Sequence, residues 1–300
     1  MHRLMTLSPL WLVLAGAWIW PCMVRGQSSA PIEGAPAHLH GSMVAAVCGE
    51  SMPEESVKAA LRLVCLGERG GRGSITARNT IIIGFVGGFV RRDDVKHPEV
   101  QFAEYLRQTY PSIVHVEVFR NHDGKPALRR VVQLLDTNGD GVLAPSEKEQ
   151  ASIIIYGHSW GASQVVTLAR DLEQLNIPVS LAILVDSVHK PGHEDAVIPS
   201  NVRNAVNFYQ TRGVIHGRSK IRAADPGRTN LIGNFHLTYQ DRRIDCSNYP
   251  WLARHLNRGH HEIENDPRVW EQISSLINSE LLEGTLPLEA SLPASPQSLK

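Results

Sequence analysis

Neither sign of charge is in excess in this chain. It carries 30 lysines and arginines against 30 aspartates and glutamates, for a formal net charge of zero. That balance gives no basic surface for a nucleic-acid partner and no one-sided field for an acidic one. No internal repeat is visible, which argues against a solenoid or propeller. Cysteines number four in 300 residues, too few for a disulfide-built scaffold. The apolar stretch from Leu7 to Trp20 is short for a bilayer span and contains Pro9, with Pro21 just behind it; a spanning helix needs about 20 apolar residues.

That stretch reads instead as a signal peptide over residues 1–26. His2 and Arg3 form its basic start, and Val24-Arg25-Gly26 precede a cleavage point at Gln27. Ile19-Trp20-Pro21 before Cys22 does not suit a lipoprotein acylation site. The expectation is a secreted or periplasmic protein with no stable membrane insertion after cleavage. Export permits disulfides. Cys48 and Cys65 flank a helix expected over Pro53 to Leu63, and Cys246 is the third cysteine left after cleavage. Their connectivity stays open.

What is present is an alternation of strands and helices. Residues 27–78 read as a lead-in rich in Pro, Ala, Gly and Ser followed by that helix, and residues 283–300 as a disordered tail. Between them, 79–282 reads as one domain. Strands are expected at Thr80 to Phe85, Ile113 to Phe119, Ser152 to Tyr156, Val179 to Val185 and Ala205 to Tyr209, with a weaker one at Leu231 to Tyr239. Helices are expected at Glu99 to Thr109, Pro126 to Leu135, Ala162 to Leu175 and Pro267 to Leu282. This pattern predicts an α/β fold, a mostly parallel sheet with helices on both faces. Ligands of such sheets bind beyond the carboxyl ends of the strands.

Gly157-His158-Ser159-Trp160-Gly161 falls at that edge. It reads G-x-S-x-G between a β-branched strand and a helix, the context of a nucleophile elbow. Gly157 and Gly161 let strand and helix close on the turn that exposes the Ser159 hydroxyl. Serine needs a base to become nucleophilic, and the base needs an acid to orient it. Arg258-Gly259-His260-His261-Glu262 supplies the base, His260 in first place and His261 as its rival, in a loop ahead of the closing helix. Asp186 supplies the acid, ending the apolar strand Leu181 to Val185; Asp225 is its rival, and Glu194 and Asp195 are weaker choices. The developing oxyanion needs two backbone N–H groups. One is expected from Trp160, the other from the Gly84–Gly88 loop at Phe85 or Val86.

This constellation, in the chain order serine, acid, histidine, resembles the α/β-hydrolase superfamily. The resemblance spans roughly Asn79 to Leu282 and implies ester hydrolysis through an acyl-enzyme, lipase- or esterase-like, on a small-molecule or lipid ester. The family's usual acid follows its seventh strand. Asp186, counted after the sixth, follows the rarer arrangement seen in some lipases, and this keeps Asp225 in play. Two other readings remain: a calcium-binding protein on a hydrolase scaffold without turnover, and transfer of the acyl group to an acceptor other than water.

Residues 136–147 fit a second pattern, D-x-[DN]-x-[DN]-G-x5-E, and resemble an EF-hand loop. Asp136, Asn138, Asp140, the Val142 carbonyl and Glu147 would give Ca2+ its oxygen ligands, with a water near Ala144, while Gly141 makes the sharp turn and Leu143 packs inward. The exiting helix has to be short, because the nucleophile strand begins at Ser152. A calcium ion here would be a structural clip on the segment leading into the elbow. His189 to Asp195 reads as a polar loop rather than a metal site.

Overall fold

The computed structural model describes residues 79–247 and 249–283. The signal peptide, the lead-in and its helix, Cys48, Cys65 and the tail beyond residue 283 lie outside the described residues. Among the described residues no helix is long and apolar enough to cross a membrane.

Six strands form one parallel sheet, in the order β2-β1-β3-β4-β6-β8. They are β1 (Thr80–Val86), β2 (Val114–Arg120), β3 (Ser152–His158), β4 (Val179–Val185), β6 (Val202–Tyr209) and β8 (Asn230–His236). Two short strands, β5 (Val197–Ile198) and β7 (Arg222–Ala223), pair separately. The helices are α1 (Pro98–Thr109), α2 (Gly124–Leu135), α3 (Pro145–Glu149), α4 (Trp160–Gln174), α5 (Trp251–Leu256), α6 (Arg258–Glu264) and α7 (Pro267–Glu283).

The central strands are buried on both faces, and they read as continuous apolar runs for that reason. Alternation of side chains sorts the runs into two cores. Ile81, Ile83, Phe85, Ile153 and Ile155 pack with Ala127, Val131 and Leu135 of α2 and Val165, Leu168 and Leu172 of α4. Ile82, Val86, Ile154, Tyr156 and Ile183 pack on the opposite face with Phe102 and Leu106 of α1 and Trp270, Ile273 and Ile277 of α7. Gly84 is fixed by this packing, since an added Cβ would lie 2.6 Å from the Tyr156 hydroxyl oxygen.

Parallel pairing brings the carboxyl ends of β1, β3, β4 and β6 into line: Phe85 lies beside Gly157, His158 beside Val185, and Val185 beside Phe208. Ser159, Asp186 and the Gly87–Gly88 turn therefore leave the sheet at one edge. Two expectations shift. β1 runs through Val86, because the apolar run continues past Phe85. The segment carrying His260 is a seven-residue helix rather than a loop, close against the end of β6 because Gly259 has no side chain; a Cβ there would lie 2.7 Å from the Arg212 carbonyl.

Candidate active site

Ser159 sits between β3 and α4 with φ 57° and ψ −125°, outside the ordinary regions for an L-residue. The turn is held by the Ser159 amide, which donates to the Val185 carbonyl at 2.9 Å. Both elbow glycines are sterically required. A Cβ on Gly157 would lie 2.6 Å from the Gly161 carbonyl, and one on Gly161 would lie 2.9 Å from the Val86 carbonyl.

The structure brings Ser159, His260 and Asp186 into one hydrogen-bonded chain. His260 Nε2 is 3.0 Å from Ser159 Oγ, and His260 Nδ1 is 2.6 Å from Asp186 Oδ2. All three side chains are buried. Asp186 also has a positive φ, 43°. Its carboxylate accepts the amides of Gln210 (3.2 Å) and Gly217 (2.7 Å) on Oδ1 and the Gln210 side chain on Oδ2 (2.9 Å). Burial would raise the Asp186 carboxyl, but the His260 and Gln210 hydrogen bonds outweigh it and hold it below the usual aspartate value. Burial and the neighbouring His158 lower His260 below an ordinary imidazole, against the opposing pull of Asp186. His260 is thus neutral near pH 7, with Nδ1 donating to Asp186 and Nε2 free to accept the Ser159 proton.

The rival residues are elsewhere. His261 stacks on Tyr249 with ring centroids 4.0 Å apart. Asp225 is exposed and caps its own turn, accepting from the Gly227 amide at 2.9 Å. Asp195 is buried, but its carboxylate takes the Ser163 hydroxyl and the Arg218 guanidinium. Glu194 is exposed. In the 189–195 loop His193 Nδ1 is taken by Thr167 Oγ1 at 2.9 Å.

Phe85 and Val86, the expected source of the second oxyanion donor, end β1 with buried side chains, in register with Phe119 and Arg120 of β2. Gly87 is the first residue beyond the pairing, and a Cβ on it would lie 2.9 Å from Ser159 Cβ, so the carboxyl end of β1 abuts the nucleophile. Gly88 then turns with φ 45°, and its carbonyl accepts from Asn121 Nδ2. Trp160 opens α4 directly after Ser159, and its ring meets Phe89 edge-on at 5.9 Å.

Sequence reasoning missed the supports of this chain. Gln210 and Gly217 hold Asp186 from loops that leave no motif. His158 stacks 4.5 Å from His260 and is flanked by Glu99 and Glu264. Burial would lower His158, but Glu264 and Glu99 overcome it and push it up to about 9. His158 was visible only as the variable residue of the elbow.

The 136–147 loop has the turns its composition implies: Gly139 and Gly141 have φ 72° and 77°, and Leu143 packs against the core. Its oxygen-bearing side chains bend over the loop's own amides. Asp136 accepts from Asp140 (3.1 Å) and Gly141 (2.9 Å), Asn138 Oδ1 from Asp140 (2.9 Å), and Asp140 from Val142 (2.8 Å). Glu147 reaches back to Thr137 (2.9 Å) and Ala144 (3.0 Å), and these donors hold its carboxyl below the usual glutamate value. The donor set is all oxygen and fits a hard divalent cation. The three carboxylates have not closed on a common point, since they form no group of ligand atoms within 4.8 Å of one another. α3, the exiting helix, has five residues.

No protein-family model matches the chain, and no curated protein matches it. Among solved structures it is similar to a cutinase-like protein from Cryptococcus sp., at 12% identity and a TM-score of 0.36, covering 69% of this chain and 97% of that one. A putative hydrolase of the α/β superfamily from Xanthomonas campestris pv. campestris aligns at 15% identity and a TM-score of 0.30, over 66% and 99% of the two chains. Esterase B from Lactobacillus rhamnosis aligns at 10% identity and 0.27, over 80% and 98%. At that identity and overlap the chemistry has to be argued from the side chains. The architecture itself, a parallel sheet sheathed by helices with a serine elbow between β3 and α4, is that of the α/β-hydrolase fold.

Proposed function

We propose that this protein is an exported serine hydrolase that cleaves carboxylic esters through an acyl-enzyme. One observation carries the reading: the unbroken hydrogen-bond chain from Ser159 through His260 to Asp186. His260 Nε2 takes the Ser159 proton as Oγ attacks the ester carbonyl carbon. The resulting oxyanion lies between the Trp160 amide and the Gly87–Gly88 turn, with the positive end of α4 behind it. Asp186 stays ionised and fixes the imidazolium. The tetrahedral intermediate collapses, and the alkoxide leaves with the proton returned by His260. Water then repeats the sequence on the acyl carbonyl and frees Ser159.

Phe89, 72% exposed beside Trp160, gives the mouth an apolar flank suited to an acyl or alkyl chain. The signal-like amino terminus supports export. Asp136, Asn138, Asp140, the Val142 carbonyl and Glu147 would hold Ca2+, which would brace the crossover into β3 and take no part in bond breaking.

The test is covalent labelling with a fluorophosphonate. Wild type should be labelled stoichiometrically at Ser159, and Ser159→Ala should not be labelled. Failure of correctly folded wild type to label or to turn over p-nitrophenyl esters would overturn the reading.

A further inference from the structure

Next to the triad lies a second group of titratable side chains that ester hydrolysis does not use. His97 precedes α1, and Glu99 is in its first turn. His158 ends β3, while His261 and Glu264 share α6 with His260. His97 Nδ1 is 2.7 Å from Glu264 Oε1. His158 Nδ1 is 3.3 Å from Glu99 Oε1 and 3.7 Å from Glu264 Oε2. One ligand atom from each of His97, Glu99 and Glu264 lies within 4.8 Å of the others.

Two features make this more than a crowd of polar groups. The Glu99 side chain is 0% exposed, and neither of its oxygens has an aligned hydrogen-bond donor. Its nearest charged neighbour is the His158 imidazole, 3.3 Å from one oxygen and shared with Glu264; a buried carboxylate so weakly donated to is strongly unfavourable, and such charges are ordinarily fully paired or metal-bound. No lysine or arginine pairs with Glu99 or Glu264 among the described residues; their ion-pair partners are imidazoles. The three ligand atoms are also close enough, within 4.8 Å of one another, for a small inward shift of the side chains to bring them onto one ion with bonds of about 2.0–2.2 Å.

We propose that His97, Glu99 and Glu264 form a binding site for a divalent transition metal of the zinc type. His97 supplies Nδ1, and each glutamate supplies a carboxylate oxygen. The mixed nitrogen and oxygen set distinguishes this site from the all-oxygen 136–147 loop and selects against calcium and magnesium. Three protein ligands leave a coordination position for water. The His97 side chain, 16% exposed, is the edge open to solvent. His158, directed at both carboxylates, would orient them. The site joins the start of α1 to α6, and α6 carries His260; an ion here is a positioning device for the base. The proposal goes beyond ester hydrolysis and survives or fails separately from it.

The experiment uses the full chain, stripped with chelator and titrated calorimetrically with ZnCl2 and CaCl2. One zinc should bind per chain and should still bind in the Asp136→Ala/Glu147→Ala double variant. Removing a ligand with His97→Ala should weaken zinc by more than the roughly 10–100-fold typical of losing an outer hydrogen-bond partner. Circular dichroism and thermal melting verify that this variant is folded. His97 is the least buried of the three ligands, so it is the safer first substitution, with Glu264→Gln as the second. Co2+ should give a visible absorption band in wild type that is lost in His97→Ala. Absence of zinc binding by the folded wild type would overturn the proposal, as would zinc binding unchanged in His97→Ala. Either result leaves fluorophosphonate labelling of Ser159 untouched.

Discussion

Replacing Gly161 with alanine separates the oxyanion geometry from the rest of the site. The new Cβ would lie 2.8 Å from the Phe85 carbonyl carbon and 2.9 Å from the Val86 carbonyl oxygen, and closer still to the Phe85 oxygen. Ordinary contact between such atoms is about 3.5–4.0 Å, so the end of β1 and the start of α4 must part by roughly 1 Å. Overpacking of this kind costs about 1–3 kcal/mol. For a domain of this size, each kcal/mol lowers Tm by roughly 2–4 °C. The catalytic effect should be larger than the stability effect suggests. β1 leads directly into the Gly87–Gly88 turn, and α4 begins with Trp160, so the shift opens the gap between the two oxyanion donors. A misplacement of about 1 Å can cost on the order of 10²-fold, or about 2.7 kcal/mol in the barrier. The assay is kcat and KM on p-nitrophenyl acetate well below the variant's Tm, beside a thermal melt. kcat should fall about 10²-fold with KM changed far less, because the donors act on the transition state. The reasoning is refuted if Gly161→Ala melts lower but retains wild-type kcat, since the β1–α4 gap would then have no part in the chemistry.

Three further expectations follow from the side chains. The acid limb of kcat/KM should have its midpoint below about 6.5, the ordinary imidazole value, because burial and His158 lower His260 and activity needs its unprotonated form; a midpoint at or above that value contradicts the assignment. Gln210→Leu removes a 2.9 Å donor from Asp186. It should destabilise the fold by about 1.5–3 kcal/mol and lower kcat by roughly tenfold or more, and a melt and rate equal to wild type would exclude Gln210 as a support. Calorimetric titration of chelated protein with Ca2+ should show one site that is lost in Asp136→Ala/Glu147→Ala, with chelation lowering Tm; a titration unchanged by the double variant would remove the loop as the calcium site.

Much of the fold can be read in the sequence because its signals are local. β4 occupies the expected Val179 to Val185, since a doubly buried strand is an unbroken apolar run bounded by polar residues. The elbow is equally local: five consecutive residues impose the turn. Asp186 could be named because it ends such a run. The choice between His260 and His261 could not be made from spacing, because adjacent residues of a short helix point in different directions, one to Ser159 and one to Tyr249. The end of β1 lies one residue further than its pattern suggests because a strand's end is set by pairing with its neighbours, here Val86 with Arg120. Gln210, Gly217, Glu99 and Glu264 left no trace in the pattern. Each matters only through a partner far along the chain.

The positive φ angle of Ser159 has a consequence for how this protein could change. Glycine tolerates such backbone where serine is strained. Ser159→Gly would relax the turn and remove the nucleophile in the same step, so stability and activity are opposed at that residue. Asp186 differs: its buried carboxylate holds the amides of Gln210 and Gly217, and Asp186→Gly would lose fold and activity together. A population of variants screened for heat resistance alone would keep the aspartate and be free to lose the serine, and only a screen that also demands turnover would keep both.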